Sequence, residues 1–343
     1  MGPCVYQEIQ ALPRGRQGLT QAPKYGQTGA HGAETAALMF ALAHLSDPHL
    51  AGWSVDRPAS LANKRITGWL SWRLNRHKIH LPQVLDLMLA DMEGQPIDHV
   101  AVTGDLVNIS LPQEFENAAR WLRRVGPADK VTVIPGNHDS YVSVRNDEGF
   151  GRWRDYMTDL AWERGDSMAA PADSFPFVRR IGPLALIGLS SAVPTPPFFA
   201  SGTLGRAQLA AFRDILAQLG GEGAFRVVLI HHPPLYGKGH SRKALTDARE
   251  FGEIVRAAGA ELILHGHMHM ASLGHIGEIP VIGVPSASAL RWHHKDAAAY
   301  NLYRIGQSDG TWKIAVEIRG LTDDRDRFAP AGGFELTIPA LQH

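Results

Sequence analysis

VTVIPGNHDSYV (131–142) runs an apolar β-forming stretch into a turn that delivers Asn137, His138 and Asp139 in succession. Pro-Gly-Asn is ordinary turn chemistry, because Gly tolerates unusual backbone angles and Asn and Asp hydrogen-bond locally. One such turn decides little unless other strands end the same way. FALAHL (40–45) ends in SDPH, with Asp47 and His49, and HVAVT (99–103) runs into GDLVN, with Asp105 and Asn108. FRVVLI (225–230) ends in HHPP, with His231 and His232, and ELIL (261–264) in HGHMH, with His265, His267 and His269. In open α/β sheets the ligand crevice lies beyond the carboxyl ends of the strands. Five strands therefore bring their polar residues to one edge.

Between these strands the apolar spacing is helical. Leu81, Val84, Leu85, Met88 and Leu89 fall at i, i+3, i+4, i+7 and i+8, and Phe115, Ala118, Ala119 and Leu122 repeat the stripe. Ser110 and Gln113 make a capping box for the second helix, with Pro112 in its first turn. Leu209, Phe212, Leu216 and Leu219 predict a helix near 205–219, and Phe251, Ile254 and Val255 another near 246–258. Strands alternating with helices define an α/β class. After residue 270 strand follows strand, through HIGEIPVIGV, YNLYRI and TWKIAVEI. This predicts a second, more antiparallel sheet packed on the first within one domain. The expected organisation is a disordered leader over 1–38, a single domain over 39–320 and a terminal strand or tail over 321–343.

The 343 residues suffice for a large core without staples. Lys plus Arg and Asp plus Glu both number 34, so bulk charge offers no nucleic-acid signal. The single cysteine, Cys4, allows neither a disulfide framework nor a thiolate metal site. Residues 1–38 are rich in Gly, Gln, Ala and Pro and lack a signal-peptide core, and Met39 opens the first strand, which makes it an expected natural start. No apolar run reaches the roughly 20 residues of a membrane span, so a cytoplasmic location is expected.

Carboxylates, an asparagine and imidazoles without thiolates suit Zn, Fe, Mn or Co. Two carboxylates among so many histidines satisfy two dications, the arrangement that clamps a phosphoryl group and activates water. The residue types point to phosphoester hydrolysis.

The ordered set DPH, GDLVN, GNHD, HHPP and GHMH, spread over residues 47–269, resembles the calcineurin-like metallophosphoesterase superfamily, and within it the bacterial cyclic-nucleotide and glycerophosphodiesterase-like branch. The resemblance implies a four-layer α/β/β/α sandwich with two divalent metal ions at one edge of the paired sheets. It makes Asp47, His49 and His269 ligands of one ion and Asn137, His231 and His267 ligands of the other, with Asp105 bridging. It gives His138 the task of steadying the phosphoryl oxygens or protonating the leaving alkoxide, and Asp139 that of orienting His138. The implied reaction is in-line attack by metal-bound hydroxide on a phosphodiester. Substrates compatible with it are cyclic nucleotides, glycerophosphodiesters, phospholipid or lipid A precursors, and nucleic acid. A phosphomonoesterase or protein phosphatase is the alternative enzyme, and a non-catalytic metal-bound interaction module the alternative from another class.

His44, inside the first strand, reads as a hydrogen-bonded core residue, and His77, His80, His240, His275, His293 and His294 read as surface or supporting residues. His240 and Lys243 are positioned to reach the cleft as substrate contacts. Residues 57–80 hold Arg57, Lys64, Arg65, Arg73, Arg76 and Lys78 with no acid, interleaved with Trp69 and Trp72. The plainer reading is a solvated, partly packed helix. The sharper one is a cap over an anionic substrate, or a peripheral membrane contact, since Trp with Arg and Lys suits a lipid interface.

Overall fold

The computed structural model describes residues 7–8, 39–55, 57–145, 148–158, 175–235 and 241–339. The leader expectation lies outside these residues, apart from a two-residue strand β1 (Gln7–Glu8), and so do the contact assigned to His240 and the last residues of the tail.

Two sheets form the body. One contains β2 (Phe40–Leu45), β3 (His99–Val102), β4 (Val131–Val133), β11 (Ala299–Ser308), β12 (Thr311–Leu321) and β13 (Phe328–Pro339), in the order β13-β12-β11-β2-β3-β4. The other contains β1, β5 (Phe177–Ile181), β6 (Leu184–Gly188), β7 (Phe225–Leu229), β8 (Leu262–His265), β9 (Ser272–Ile276) and β10 (Ile279–Gly283), in the order β1-β9-β10-β8-β7-β6-β5. The helices are α1 (Arg65–Leu74), α2 (Pro82–Glu93), α3 (Pro112–Val125), α4 (Arg206–Gly221) and α5 (Ala248–Ala258).

The strands themselves create the layers, because successive side chains point to opposite faces. Ala185, Ile187, Val228, Ile230 and Ile263 pack with Phe212, Leu216, Phe251 and Val255 of α4 and α5. The alternate residues Leu184, Leu186, Val227, Leu229, Leu262 and Leu264 turn the other way and join the core shared with Leu42, Leu302 and the α2 and α3 stripes. The result is the expected α/β/β/α sandwich. Strands β2, β3 and β4 run parallel to one another, as do β6, β7, β8 and β10. Their carboxyl ends meet at one edge, where His231 Nδ1 bonds the Thr103 carbonyl of the opposite sheet at 2.7 Å. Among the described residues no helix is long and apolar enough to cross a membrane.

The expectation that the strands after 270 make a sheet of their own is corrected. β9 and β10 extend the sheet of β8, whereas β11, β12 and β13 add to β2. Alternation specifies which face of a strand is buried, and a strand at either sheet satisfies it equally. The capping box is also displaced. Pro112 keeps Leu111 extended (φ −78°, ψ 144°), so the helix begins one residue later, and Glu114 rather than Gln113 accepts the N–H groups of Asn108, Ile109 and Leu111 at 2.7–3.1 Å.

Periodicity also concealed a buried ion pair. Arg226 is 1% exposed, and Glu261 accepts its backbone N–H at 2.6 Å, its Nε at 3.1 Å and its NH2 at 2.8 Å. Its NH1 donates to the carbonyls of Leu216 and Ala258, tying α4 and α5 to β7. Removing one partner leaves an uncompensated buried charge, so Glu261→Ala is expected to destabilise the fold by about 3–5 kcal/mol. Urea unfolding measures this, and a loss under about 1 kcal/mol would contradict the assignment of a desolvated pair.

Candidate metal centre

The polar residues converge because the chain turns sharply as each strand ends. Asp47, His49, Asp105, His267 and His269 all have positive φ, from +40° to +69°. Each costs of order 1–3 kcal/mol for a residue with a β-carbon, and such strain collects where function demands a particular side-chain direction. The motif loops also pass unusually close together. Gly104 has φ +94°, and a β-carbon there would lie 2.5 Å from the backbone nitrogen of Gly136. A β-carbon on Gly266 would run into the side chains of Ser46 and Asp47.

Asp105 stands between two groups of ligand atoms. Its Oδ1 accepts the backbone N–H of His138 at 2.7 Å. Its Oδ2 lies 3.4 Å from His231 Nε2 on one side and 3.8 Å from His49 Nε2 on the other. Asp105, His231 and His267 gather on the first side, joined by Asn137, whose Oδ1 is 3.2 Å from His231 Nε2. His49 and His269 gather on the second, with Nε2 atoms 3.3 Å apart and Asp47 Oδ1 3.2 Å from His269 Nε2. All seven residues expected as ligands from the sequence thus come together, with Asp47, His49 and His269 to one side of Asp105 and Asn137, His231 and His267 to the other.

The donor set fits metal ions on an independent observation. His267 Nε2 is buried and has no hydrogen-bond partner among the described residues, and Asp47 Oδ1, equally buried, has only the ion-pair approach of His269 at 3.2 Å. Buried polar atoms are ordinarily paired, so orphans of this kind call for a ligand. The Asp47 carboxylate is aimed by its other oxygen, which accepts the His267 N–H at 2.9 Å. His231 and His49 spend Nδ1 on the carbonyls of Thr103 and Val107, which leaves Nε2 directed inward.

Electrostatics agree with the geometry. Burial lowers the pKa values of His49 and His267 well below the ordinary histidine range, reinforced for His49 by Arg76 and for His267 by His232 and His231. Both are therefore neutral, the form that binds metal. Burial opposes the charged form of Asp105, but His231 and His138 outweigh it and hold the carboxyl below its ordinary value. His231 behaves oppositely: burial works against its cation, yet Asp105 prevails and raises it to about 9. An ion entering there displaces a proton, so metal uptake weakens as pH falls.

His138 sits beside the cluster. Its Nδ1 is 2.5 Å from the carbonyl of Asn108, which fixes the tautomer, and its Nε2 accepts from Arg76 NH1 at 3.0 Å. Tyr141 stacks on the ring, 5.4 Å between centroids at 13°. The orienting role expected of Asp139 is corrected, since both ring nitrogens of His138 are engaged elsewhere. Asp139 is 1% exposed and accepts the backbone N–H groups of Asp105, Val107 and Gly136 at 2.8–3.0 Å. It clamps two motif loops to each other and acts on His138 only through that backbone. Burial, with Asp105 beside it, raises its carboxyl to about 7.

The other motif histidines have structural partners. His232 Nε2 bonds the Ala200 carbonyl at 3.1 Å and its Nδ1 the Ser191 hydroxyl at 2.7 Å. His265 Nδ1 bonds the Gly266 carbonyl at 3.1 Å. Asn108 Nδ2 donates to the Leu50 carbonyl at 2.8 Å, and His44 Nε2 meets Thr103 Oγ1 at 2.9 Å within the core, as expected.

Sequence reasoning missed two participants. His80 belongs to no strand end, yet it joins His49 and His269 with its Nδ1 2.9 Å from Ser288 Oγ. Arg76, read only as part of a basic segment, reaches both His138 and His49, the latter at 2.9 Å. A single Nε2 lone pair cannot serve a guanidinium and an ion together, so an ion at His49 displaces this contact. The cavity over the cluster is about 610 Å³ and is lined by Arg76, Lys243, Trp292, His293 and Lys295 among others. Lys243 thus lies at the cleft, as proposed from its position after HHPP.

The sequence model of the calcineurin-like phosphoesterase family matches residues 40–271, and the chain belongs to that family. Among curated proteins no relative matches its sequence. Solved structures with a similar fold include a dimetal phosphatase from Danio rerio, 14% identical with a TM-score of 0.50 over 88% of this chain and 99% of that one. A purple acid phosphatase from yellow lupin (Lupinus luteus) seeds is 12% identical with a TM-score of 0.53, over 88% of this chain and 54% of that one. Metal-dependent phosphoester hydrolysis is the chemistry of the family, and the two facing ligand sets fit it.

Proposed function

We propose that this chain is a phosphodiesterase in which Asp47, His49, Asp105 and His269 would hold one divalent ion and Asp105, Asn137, His231 and His267 a second. The ions would supply charge neutralisation on the phosphoryl group and an acidified water. The observation that carries the reading is the placement of His138. Its Nε2 faces the cavity beside the bridging carboxylate, while the Asn108 carbonyl pins its other nitrogen. An alkoxide leaving group needs a proton in the transition state, and the imidazole supplies one once Nε2, which accepts from Arg76 in the free chain, has been released and has itself taken up a proton from water. In the free chain burial and then Arg76 hold His138 near pKa 4, so it is neutral at pH 7. An anionic phosphate that draws the guanidinium onto itself removes the second of these causes and frees Nε2.

Arg76 itself favours a second reading, a phosphomonoesterase. A guanidinium pairs best with the fork of two oxygens that a dianionic monoester offers. A panel of diesters and monoesters assayed with Mn, Fe, Zn and Co decides between the two. The proposal expects kcat/KM for bis(p-nitrophenyl) phosphate to exceed that for p-nitrophenyl phosphate, and the reverse ratio would establish the monoesterase.

A further inference from the structure

We propose that the rim of the metal cleft is a docking surface for an anionic lipid bilayer. The inference stands on exposed apolar side chains and segregated charge, and does not depend on which phosphoester is cleaved.

Helix α1 has no buried residue. Ile66, Leu70 and Leu74, spaced four apart and so aligned on one face, are 48%, 44% and 63% exposed. Scattered exposed leucines need no explanation, but an aligned set beside other apolar groups does. Phe198 is 80% exposed and holds a left-handed φ of +67°, a costly conformation for a bulky side chain presented to water. Its loop is tied to the start of α1, where Lys64 Nζ donates to Thr195 Oγ1 at 2.8 Å and to the Phe199 carbonyl at 3.2 Å. On the lip formed by residues 286–295 Trp292 is 44% exposed. That lip is fastened to the segment after α1 by the N–H of Leu81 to the Ser288 carbonyl at 3.1 Å and of Leu290 to the Ile79 carbonyl at 2.9 Å. Ser71, Asn75, Ala200 and Trp292 line the cavity, so these three segments surround its mouth.

The charge of the same segments is of one sign. Residues 57–80 carry six Lys or Arg and residues 286–295 carry two, while these and residues 190–205 contain no Asp or Glu, in a chain whose totals balance at 34 each. Arg57, Arg73, Lys78 and Arg291 are exposed, and Arg73 lies over the Trp69 ring at 5.6 Å. Apolar side chains set among cations, with tryptophan alongside, match the boundary between headgroups and acyl chains. A second copy of the chain fits poorly, because a two-fold contact through this face would bring like charges together. Docking in this way turns the opening of the metal cleft toward the headgroup layer.

The test is sedimentation of the full chain with vesicles of phosphatidylglycerol mixed with phosphatidylcholine, and with phosphatidylcholine alone. Binding is expected to the first, weaker binding to the second, and loss of the difference in high salt. Combining Ile66→Ser, Leu70→Ser, Leu74→Ser and Phe198→Ser is expected to weaken binding about tenfold or more, with metal content and melting temperature kept. Combining Arg73→Gln with Lys78→Gln is expected to weaken it about fivefold per charge, and this pair decides the matter alone if the first variant fails to fold. Absence of binding to either vesicle, or equal binding by the variants, overturns the proposal. So does a concentration-dependent dimer that the apolar variant dissolves, which would assign the surface to a second copy.

Discussion

Asp105→Asn is expected to lower turnover by about a thousandfold or more and to reduce metal content at both ligand sets. Oδ2 of this residue is the oxygen that faces His231 at 3.4 Å and His49 at 3.8 Å, so a single substitution removes negative charge from both. Charge neutralisation by the ions is worth several kcal/mol in a phosphoryl transfer, and each 1.4 kcal/mol is about tenfold in rate. The near-isosteric amide still accepts the His138 N–H through an oxygen, which keeps the loop in place and separates the loss of charge from unfolding. Elemental analysis with steady-state kinetics measures both quantities. A variant holding two metal equivalents with near-normal turnover would remove the bridging assignment. The same residue governs pH: without the carboxylate the principal cause raising His231 is gone, so its proton is released at lower pH than in the parent chain.

His138→Ala is expected to act differently. The Asn108 carbonyl holds Nδ1, and Nε2 belongs to neither candidate ligand set although it lies near His49 and Asp105, so two metal equivalents should remain bound. Turnover should fall by about 10² to 10⁴-fold for alkyl phosphodiesters, whose leaving groups need a proton, and much less for nitrophenyl esters, whose leaving groups do not. Leaving-group dependence is the decisive readout, because displacement of Arg76 or a disturbed loop would slow every substrate alike. Loss of metal from this variant would make His138 a ligand.

The candidate ligand residues were legible because each motif sits where an apolar run stops. Burying both faces of a strand writes a short continuous apolar run into the chain, as in β3, β4, β7 and β8, and Asp, Asn or His just past that run stands out against it. Five such endings in order identify a shared edge without any coordinates. His80 and Arg76 carried no comparable mark. His80 lies in the turn before α2, and it reaches His49 only because the strand-like bridge between His80 and Ala289 pulls that turn across the cleft. The role of Asp139 was misjudged for a related reason: adjacency in sequence to His138 suggested a side-chain contact, whereas the turn sends the carboxylate back to the N–H groups of Asp105, Val107 and Gly136.

By itself the sequence determined the alternating strands and helices and the strand-end motifs, which follow from patterns local to a dozen residues, and the resemblance carried by those motifs pointed to the family and singled out the seven candidate ligands. Only the tertiary structure decided which sheet each late strand joins, and which distant carbonyl fixes each imidazole. It alone placed Arg76 against His49 and His138, and gathered α1, Phe198 and Trp292 around one opening. The physical reason is that periodicity specifies what is buried but not against what. A partner far away in the chain is chosen by packing and by the hydrogen bonds that remain to be satisfied once the sheets have closed.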